Sequence, residues 1–507
     1  MHTDPYLWIS QWAAAEPTRI CLTSDTRQLS YQTLDLEAGR YAMVLTDLGV
    51  GCGDRVAAQV DNAIEVVILY CACLRLGAVY VPINPANTSH EVAYFLNDAA
   101  PKLAVVRPAE RPALLPLAEQ ARVLHVESLG HQGEGSLIDR VQASARLVPP
   151  PAQLPADALA ALVYTSGTTG RPKGAMLTRG NLASNAAALA TAWQFSADDV
   201  LLHCLPLCHV HGLFVALNTA FAAGACVRLI PQFNPEKILQ LLPLATVFMG
   251  VPTHYMRLLA LPRLNRDSTA AVRLFISGSA PLLPQTHQEF ARRTGHFILE
   301  RYGMTETLIN TSNPYDGLRL PGAVGPALPG TTIRVINTDT GLPDNAPDVV
   351  GCLEIMGPNV CAGYWRSSDK TAAEFSVDGW FNSGDVGRID ASGYVHIVGR
   401  VKDLIITGGY NVYPKEVESE IDALAGVVES AVIGVPHADL GEAVIAVVVL
   451  SKERTLTEES VLANIRVRLA KYKTPKRVLL VSELPRNTMG KVQKNILRER
   501  YKGLYTV

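Results

Sequence analysis

The feature that most constrains this chain is the alternation of short apolar runs with stretches of helical period. Val56-Ala-Ala-Gln-Val60, Leu103-Ala-Val-Val106, Ala160-Ala-Leu-Val-Tyr164, Val272-Arg-Leu-Phe-Ile276 and Val428-Glu-Ser-Ala-Val-Ile433 have the length and composition of strands. Helical patterns lie between them, at Asn62 to Arg75, with Ile64, Val67, Ile68 and Cys71 on one face, and at Pro284 to Thr294. Strands interleaved with helices predict an α/β fold with largely parallel sheets, because a parallel pair needs a crossover long enough to hold a helix. A chain of 507 residues exceeds one core at about 100–200 residues per domain. Pro149-Pro150-Pro151 reads as a stiff surface connection. Near residue 400 the texture changes: the alternating run Gly393-Tyr-Val-His-Ile-Val-Gly399 gives way to polar Arg400-Val-Lys402-Asp403. The expected division is a large N-terminal domain of layered α/β subdomains over residues 1–399 and a small α+β domain over residues 400–507.

Charge and composition narrow the function. Forty-five Lys and Arg against 47 Asp and Glu give a net charge of −2, so no nucleic-acid or membrane-surface partner is expected. Met1-His-Thr-Asp-Pro-Tyr6 has no basic segment followed by an apolar run, and no apolar stretch reaches membrane-spanning length; a cytoplasmic location is expected. The nine cysteines are scattered, as reduced thiols would be. Cys204, Cys208, His209 and His211 form a local group of metal-ligand types. A structural zinc site draws paired ligands from two segments, so these read instead as buried thiols and pocket histidines. The Lys- and Arg-rich tail from Lys471 to Lys502 is either a solvated face or a carrier of cations to a phosphate-bearing substrate.

The segment richest in chemistry is Tyr164-Thr-Ser-Gly-Thr-Thr-Gly-Arg-Pro-Lys-Gly174. It follows a buried-type strand, its glycines Gly167 and Gly170 permit tight curvature, and its hydroxyls and Lys173 suit an anion. It is not a Walker loop, which needs adjacent Gly-Lys leading into a helix; here Pro172 precedes the lysine. Phosphate binding is the reading that this composition favours over an ordinary turn.

The segment resembles the phosphate loop of the adenylate-forming superfamily, which includes acyl- and aryl-CoA ligases, luciferases and nonribosomal adenylation domains. The resemblance continues in order along the chain through Arg301-Tyr-Gly-Met-Thr-Glu-Thr307, Gly379-Trp-Phe-Asn-Ser-Gly-Asp385, Gly399-Arg-Val-Lys-Asp403 and Pro485-Arg-Asn-Thr-Met-Gly-Lys491. It implies that Thr165, Ser166, Gly167, Thr168, Thr169 and Lys173 cradle the phosphates of ATP. Gly278, Ser279, Ala280, Arg301, Tyr302, Gly303, Met304 and Thr305 would line the adenine side, with the Tyr302 ring stacked on the base. Asp385 and Arg400 would take the ribose, and Glu306 with Thr165 would hold Mg²⁺. Lys491 would bridge the carboxylate and the α-phosphate in the first step, and His209 is counted with the catalytic group. The C-terminal domain would then rotate about Lys402, a mobile hinge, so that Gly408, Gly409 and Tyr410 line the channel for the CoA arm. The implied partners are a small carboxylate, ATP and CoA. An exposed Lys491 would also suit a lysine acyltransferase, since acylation removes its charge.

Generic motifs leave the acid open. Polar groups near the expected acyl pocket, His209, His211, Arg257, Arg301 and Asn310, argue against an apolar tunnel. An arginine facing the pocket suits a second carboxylate, which it binds bidentately. The strings His209-x-His211-Gly-Leu-Phe, Phe275-Ile-Ser-Gly-Ser-Ala-Pro281 and Asn310-Thr-Ser-Asn-Pro-Tyr315 are similar to those of the malonyl-CoA synthetases. That likeness implies malonate, with Arg257 as the first choice of anchor, Arg301 as the second, and Ile309 facing the acyl substituent. Val210 and Ile309 stand where malonyl-CoA synthetases more often carry a hydroxyl residue and a methionine, which admits methylmalonate. The alternatives are a short-chain or aryl monocarboxylate–CoA ligase, an adenylation enzyme loading a carrier protein, and a non-catalytic nucleotide-binding scaffold.

Overall fold

The computed structural model describes residues 4–144, 150–165, 172–338, 340–344, 346–451, 456–487 and 490–505. Two sheets dominate the N-terminal domain. The first runs His125–Ser128, Leu103–Val106, Arg55–Gln59, Val79–Pro82, Leu159–Thr165, Lys173–Thr178, parallel except for its last pair. The second runs Leu308–Ser312, Leu299–Met304, Leu274–Ser277, Val247–Gly250, Val200–His203, Cys226–Leu229, Ile20–Thr23, Gln28–Ser30. It is parallel through its middle and antiparallel at both ends.

The period of two along each strand decides which core each residue enters. Val56 and Ala58 join Leu103 and Val105 in a core shared with Leu201, Val247 and Leu274 of the second sheet. Ala57, Ala104 and Val106 face the other way, onto Val92, Phe95 and Leu96 of the helix Ser89–Ala99. Leu202, Phe248 and Phe275 turn outward onto Tyr255, Leu258 and Phe290. The helix Ile64–Leu76 lies in the shared core and is buried on every side through Arg75, which its nearly continuous apolar sequence allows. It begins two residues later than its pattern suggests because the Asn62 side chain is engaged elsewhere, bonded to the Leu205 carbonyl and the Leu207 N–H. Gly77, at φ +83°, ends the helix, and a Cβ there would lie 2.6 Å from Leu154 Cδ1. The helix Pro284–Thr294 has the bounds its pattern predicts. Pro149 lies outside the described residues.

One buried ion pair ties the N-terminal segment down. Arg179, 0% exposed, donates from Nε to Asp4 Oδ2 at 2.9 Å, and from Nη2 to Asp4 Oδ1 at 2.7 Å and to the Leu74 carbonyl at 2.8 Å. Removing one member strands a buried charge, so Asp4→Ala is expected to cost about 3 kcal/mol of unfolding free energy in urea. A loss below about 1 kcal/mol would mean that solvent reaches Arg179.

A four-stranded antiparallel sheet, Thr332–Asn337, Gly351–Met356, Phe381–Ile389, Val395–Arg400, closes the large domain. The smaller C-terminal domain has its own five-stranded sheet, from Ile405–Thr407 to Arg477–Val481, and its own apolar clusters. It rests on the large domain partly through Gln285, whose Nε2 donates to the Asp422 carbonyl at 2.6 Å. Among the described residues no helix is long and apolar enough to cross a membrane.

Candidate active site

In the second sheet Gly250 pairs with Ser277, and Ser277 with Glu300, so two parallel strands end at one level while the third runs on to Met304 paired with Leu308–Ser312. The chain leaving each end must form one rim, which is where open α/β sheets bind ligands. Residues 251–253, 278–281 and 301–307 occupy it.

Arg301 is the most telling residue of this rim. It is 6% exposed, and its Nε and Nη2 meet no hydrogen-bond acceptor among the described residues. Burial pushes its pKa down to about 9. The guanidinium lies against Gly278, where a Cβ would come within 2.2 Å of Arg301 Cζ. Beside it His211 shares a hydrogen bond between Nδ1 and Ser279 Oγ at 3.1 Å, while its Nε2 has no partner among the described residues. The His211 backbone N–H donates to His209 Nδ1 at 3.1 Å, which leaves the His209 proton on Nε2. Burial, with the Arg301 charge adding to it, pushes the His209 pKa down to about 4 and that of His211 well below its ordinary value. Both rings are therefore neutral at pH 7, and Arg301 is the cation whose charge both of them feel. Ser279 sits at φ +69°, a strained position for a side-chain-bearing residue. Ala280 follows it, partly buried.

Arg257 stands apart. It is exposed on the helix Pro252–Leu259. Ile309 is 2% exposed and locked by Asn185, which bonds both its carbonyl, at 2.7 Å, and its N–H, at 3.3 Å. Val210 is equally buried.

Antiparallel register brings the expected ribose residues together: Asp385 and Arg400 are Cα partners across two strands. Arg400 Nε lies 2.9 Å from Asp385 Oδ1, and the Tyr302 hydroxyl donates to Asp385 Oδ2 at 2.6 Å. Gly303 admits no side chain, since a Cβ would lie 1.8 Å from the Leu308 carbonyl oxygen. Met304 ends the strand and Thr305 opens the turn that follows, both partly buried.

Glu306 is buried at the phosphate side. Its Oε1 accepts from the Thr165 hydroxyl at 3.3 Å and the Tyr364 hydroxyl at 3.2 Å, and burial raises its pKa. Lys173, also buried, lies 2.8 Å from Glu374 Oε1 and 4.8 Å from the centre of the Tyr364 ring. Ser166, Gly167, Thr168 and Thr169 lie outside the described residues.

Lys491 reaches this group from the C-terminal domain. Burial, then the Arg400 charge, pushes its pKa down to about 8, and its charge is felt at His209. Asn487 and Lys491 are bonded to each other: the Lys491 N–H donates to Asn487 Oδ1 and its carbonyl accepts from the Asn487 N–H, both at 3.0 Å. Arg486 clamps this segment, bonding Glu429 and the Gly490 carbonyl. Gly490, at φ +73°, abuts Thr253 of the large domain, where a Cβ would lie 3.1 Å from Oγ1. Lys402 is exposed on the short turn Val401–Asp403. Gly408 and Gly409, both at positive φ, turn an exposed hairpin, and Tyr410 beside them stacks on Tyr472 with ring centres 4.7 Å apart.

Tyr364, Glu374, Glu429 and Arg486 escaped the sequence reading as site residues; the aromatic pair in Cys361-Ala-Gly-Tyr-Trp365 was the available signal. Among the described residues no group of three or more His, Cys, Asp or Glu could hold a metal ion. Cys204 is buried, with its Sγ 4.0 Å from His254 Nδ1.

Comparison with known proteins agrees with this assembly. ATP-bound MatB from Rhodopseudomonas palustris superposes with a TM-score of 0.97, at 53% identity and full coverage of both chains. Apo MatB from the same organism, 52% identical with full coverage of both, gives a TM-score of 0.85. The mitochondrial malonate–CoA ligase ACSF3 of Mus musculus is 34% identical over 99% of this chain and 92% of its own length. Indoleacetate–CoA ligase of Aromatoleum aromaticum is 34% identical over 97% of each. The AMP-binding enzyme model matches residues 9–365 and the AMP-binding enzyme C-terminal domain model residues 416–491, so the chain belongs to the AMP-binding enzyme family.

Proposed function

We propose that the protein is an ATP-dependent acid–CoA ligase acting on malonate or a 2-substituted malonate such as methylmalonate. The observation that carries the dicarboxylate reading is Arg301. Its buried Nε and Nη2 meet no acceptor among the described residues, which is costly for a charge, and an anionic ligand group removes that cost. Two neutral histidines beside it can donate or accept hydrogen bonds without adding charge. The likeness to the malonate–CoA ligase ACSF3 supports the same substrate. Arg257 came first as anchor on sequence grounds; exposure makes it the weaker choice, because a solvated arginine gains little from one more carboxylate.

In the first step a carboxylate oxygen of the acid attacks the α-phosphorus, the P–O bond to the β-phosphate breaks, and pyrophosphate leaves. Arg301 holds the distal carboxylate and so orients the reacting one. Lys491, a cation at neutral pH, lies between nucleophile and α-phosphate and offsets charge there. Asp385 accepts from the ribose hydroxyls, with Arg400 and Tyr302 fixing its carboxylate. Glu306 and the Thr165 hydroxyl are hard oxygen donors fit for Mg²⁺, which typically takes one or two carboxylates and completes its shell with substrate phosphates. When bound, the ion would neutralise phosphate charge. In the second step the CoA thiolate attacks the acyl carbon and AMP leaves, after the C-terminal domain, taken here as residues 400–507, turns about Lys402. Gly408, Gly409 and Tyr410 then face the CoA arm.

A pH dependence follows from Lys491. Its charge is present below about 8 and lost above, so kcat/KM for adenylation is flat near pH 7 and falls about tenfold per unit above 8. Lys491→Arg should remove that limb at reduced rate; an unchanged limb in this variant would assign it to another group.

The function itself is tested by pyrophosphate release with Mg-ATP across acetate, butyrate, benzoate, malonate, methylmalonate and succinate, each with and without CoA. CoA-dependent turnover on malonate or methylmalonate supports the proposal. Preference for a monocarboxylate removes the role of Arg301, and turnover on no acid returns the carrier-loading and scaffold readings.

A further inference from the structure

Two parts of the phosphate side that are distant in sequence meet on one side chain. The Tyr364 hydroxyl donates to Glu306 Oε1 at 3.2 Å, and the Lys173 ammonium sits 4.8 Å from the centre of its ring. We propose that Tyr364 is a positioning residue for nucleotide phosphates and their metal: its hydroxyl sets the rotation of the Glu306 carboxylate, and its ring face keeps Lys173 beside it. The inference rests on the reading of Glu306 as the Mg²⁺ ligand.

The backbone around Tyr364 is held as a positioning role requires. Its N–H donates to Thr371 Oγ1 at 2.9 Å. The preceding Gly363 carbonyl accepts from the Met176 N–H at 3.0 Å, and the following Trp365 N–H donates to the Gly174 carbonyl at 2.8 Å. Residues 363–365 thus extend the sheet at the strand Lys173–Thr178, which enters from the phosphate loop. Three residues before Tyr364, the Cys361 N–H donates to the Glu306 carbonyl at 2.7 Å. One short segment is therefore sewn to the lysine strand and to the backbone of the metal-site glutamate, with the tyrosine between them.

The side-chain chemistry matches. Thr165 and Tyr364 both donate to Oε1, and two donors on one oxygen fix a carboxylate's plane where one would let it swing. Lys173 has Glu374 as its counter-ion at 2.8 Å. Phosphates must compete with that carboxylate, whereas the ring attracts the ammonium without neutralising it. The arrangement keeps Lys173 near the site and still charged. Tyr364→Phe separates the two duties, since it retains the ring and removes the hydroxyl; Tyr364→Leu removes both.

The test is Mn²⁺ binding to the protein with ATP and no carboxylate, followed by water-proton relaxation, alongside ATP affinity from equilibrium dialysis and Tm. Outer-shell partners of metal ligands typically carry 10–100-fold of metal affinity. Tyr364→Phe is expected to weaken Mn²⁺ binding about tenfold with Tm unchanged and ATP affinity without metal within about twofold. Tyr364→Leu should weaken metal-free ATP binding as well. Wild-type Mn²⁺ affinity in Tyr364→Phe overturns the proposal. So does a parallel fall of Tm, ATP and Mn²⁺ binding in both variants, which is the signature of a residue that only packs. Glu306→Gln separates the two failures: if it binds Mn²⁺ like wild type, the metal reading of Glu306 falls; if it loses Mn²⁺ while Tyr364→Phe does not, only the role of Tyr364 falls.

Discussion

Arg301→Met is expected to lower kcat/KM for malonate about 10³-fold, to leave KM for ATP within about twofold, and to raise Tm. Truncating one side of a desolvated charge pair costs about 2–5 kcal/mol of binding, and here the other side belongs to the substrate. The gain in stability has the opposite origin. Nε and Nη2 are buried without acceptors among the described residues, so an apolar side chain of similar length relieves a desolvation penalty. The pairing of lost activity with gained stability distinguishes a ligand-binding arginine from a structural one, whose loss would lower Tm. Arg257→Met, on the exposed helix face, should change kcat/KM less than about threefold. If Arg257→Met carries the larger loss instead, the anchor is Arg257 and the pocket extends outward from the rim.

Lys491→Ala is expected to reduce pyrophosphate release about 10³-fold while changing thioester formation from supplied malonyl-adenylate and CoA by less than about threefold. With Gly490 against Thr253 and Gln285 bonded to Asp422, Lys491 is brought near Arg400 and His209, and under the proposed mechanism rotation of the C-terminal domain withdraws it before the second step. A cation aimed at developing charge on the α-phosphate is commonly worth 10²–10³ in rate. Once the adenylate exists, that work is finished. Equal loss in both half-reactions would mean that Lys491 holds the domain arrangement rather than the transition state.

Much of this was legible in the sequence, for local reasons. The run from Val56 to Gln59 reads as a strand because its neighbours enter different cores, and Pro284–Thr294 reads as a helix because its apolar period and closing Gly295 agree. The strand expected from Val272 begins instead at Leu274, because the Val272 N–H is committed to a turn onto the Thr269 carbonyl. Asp385 and Arg400 stood out as motif residues, and cross-strand register explains why they meet. The ranking of arginines was not legible. Nothing near Arg257 or Arg301 in sequence says which is buried; Arg301 has room only because Gly278, on the adjoining strand end, has no side chain. Glu374 was invisible for a related reason: it finds Lys173 across 201 positions, from a helix with no motif of its own. Tyr364 lacks the charge or metal-ligand type that draws attention, and its role depends on two bonds that only the folded chain makes.

Under the proposed function a distal carboxylate is read by charge. That reading is tested most directly by the ratio of kcat/KM for malonate to that for malonamate, in which an uncharged amide replaces the distal carboxylate at nearly constant size. With the Arg301 guanidinium buried at the rim and both histidines neutral, the ratio is predicted to exceed about 10³, in line with sites whose buried polar groups are left unpaired by the wrong substrate. A ratio near unity would contradict the account, because it would show that the pocket measures shape and that the buried guanidinium answers to something other than the acid.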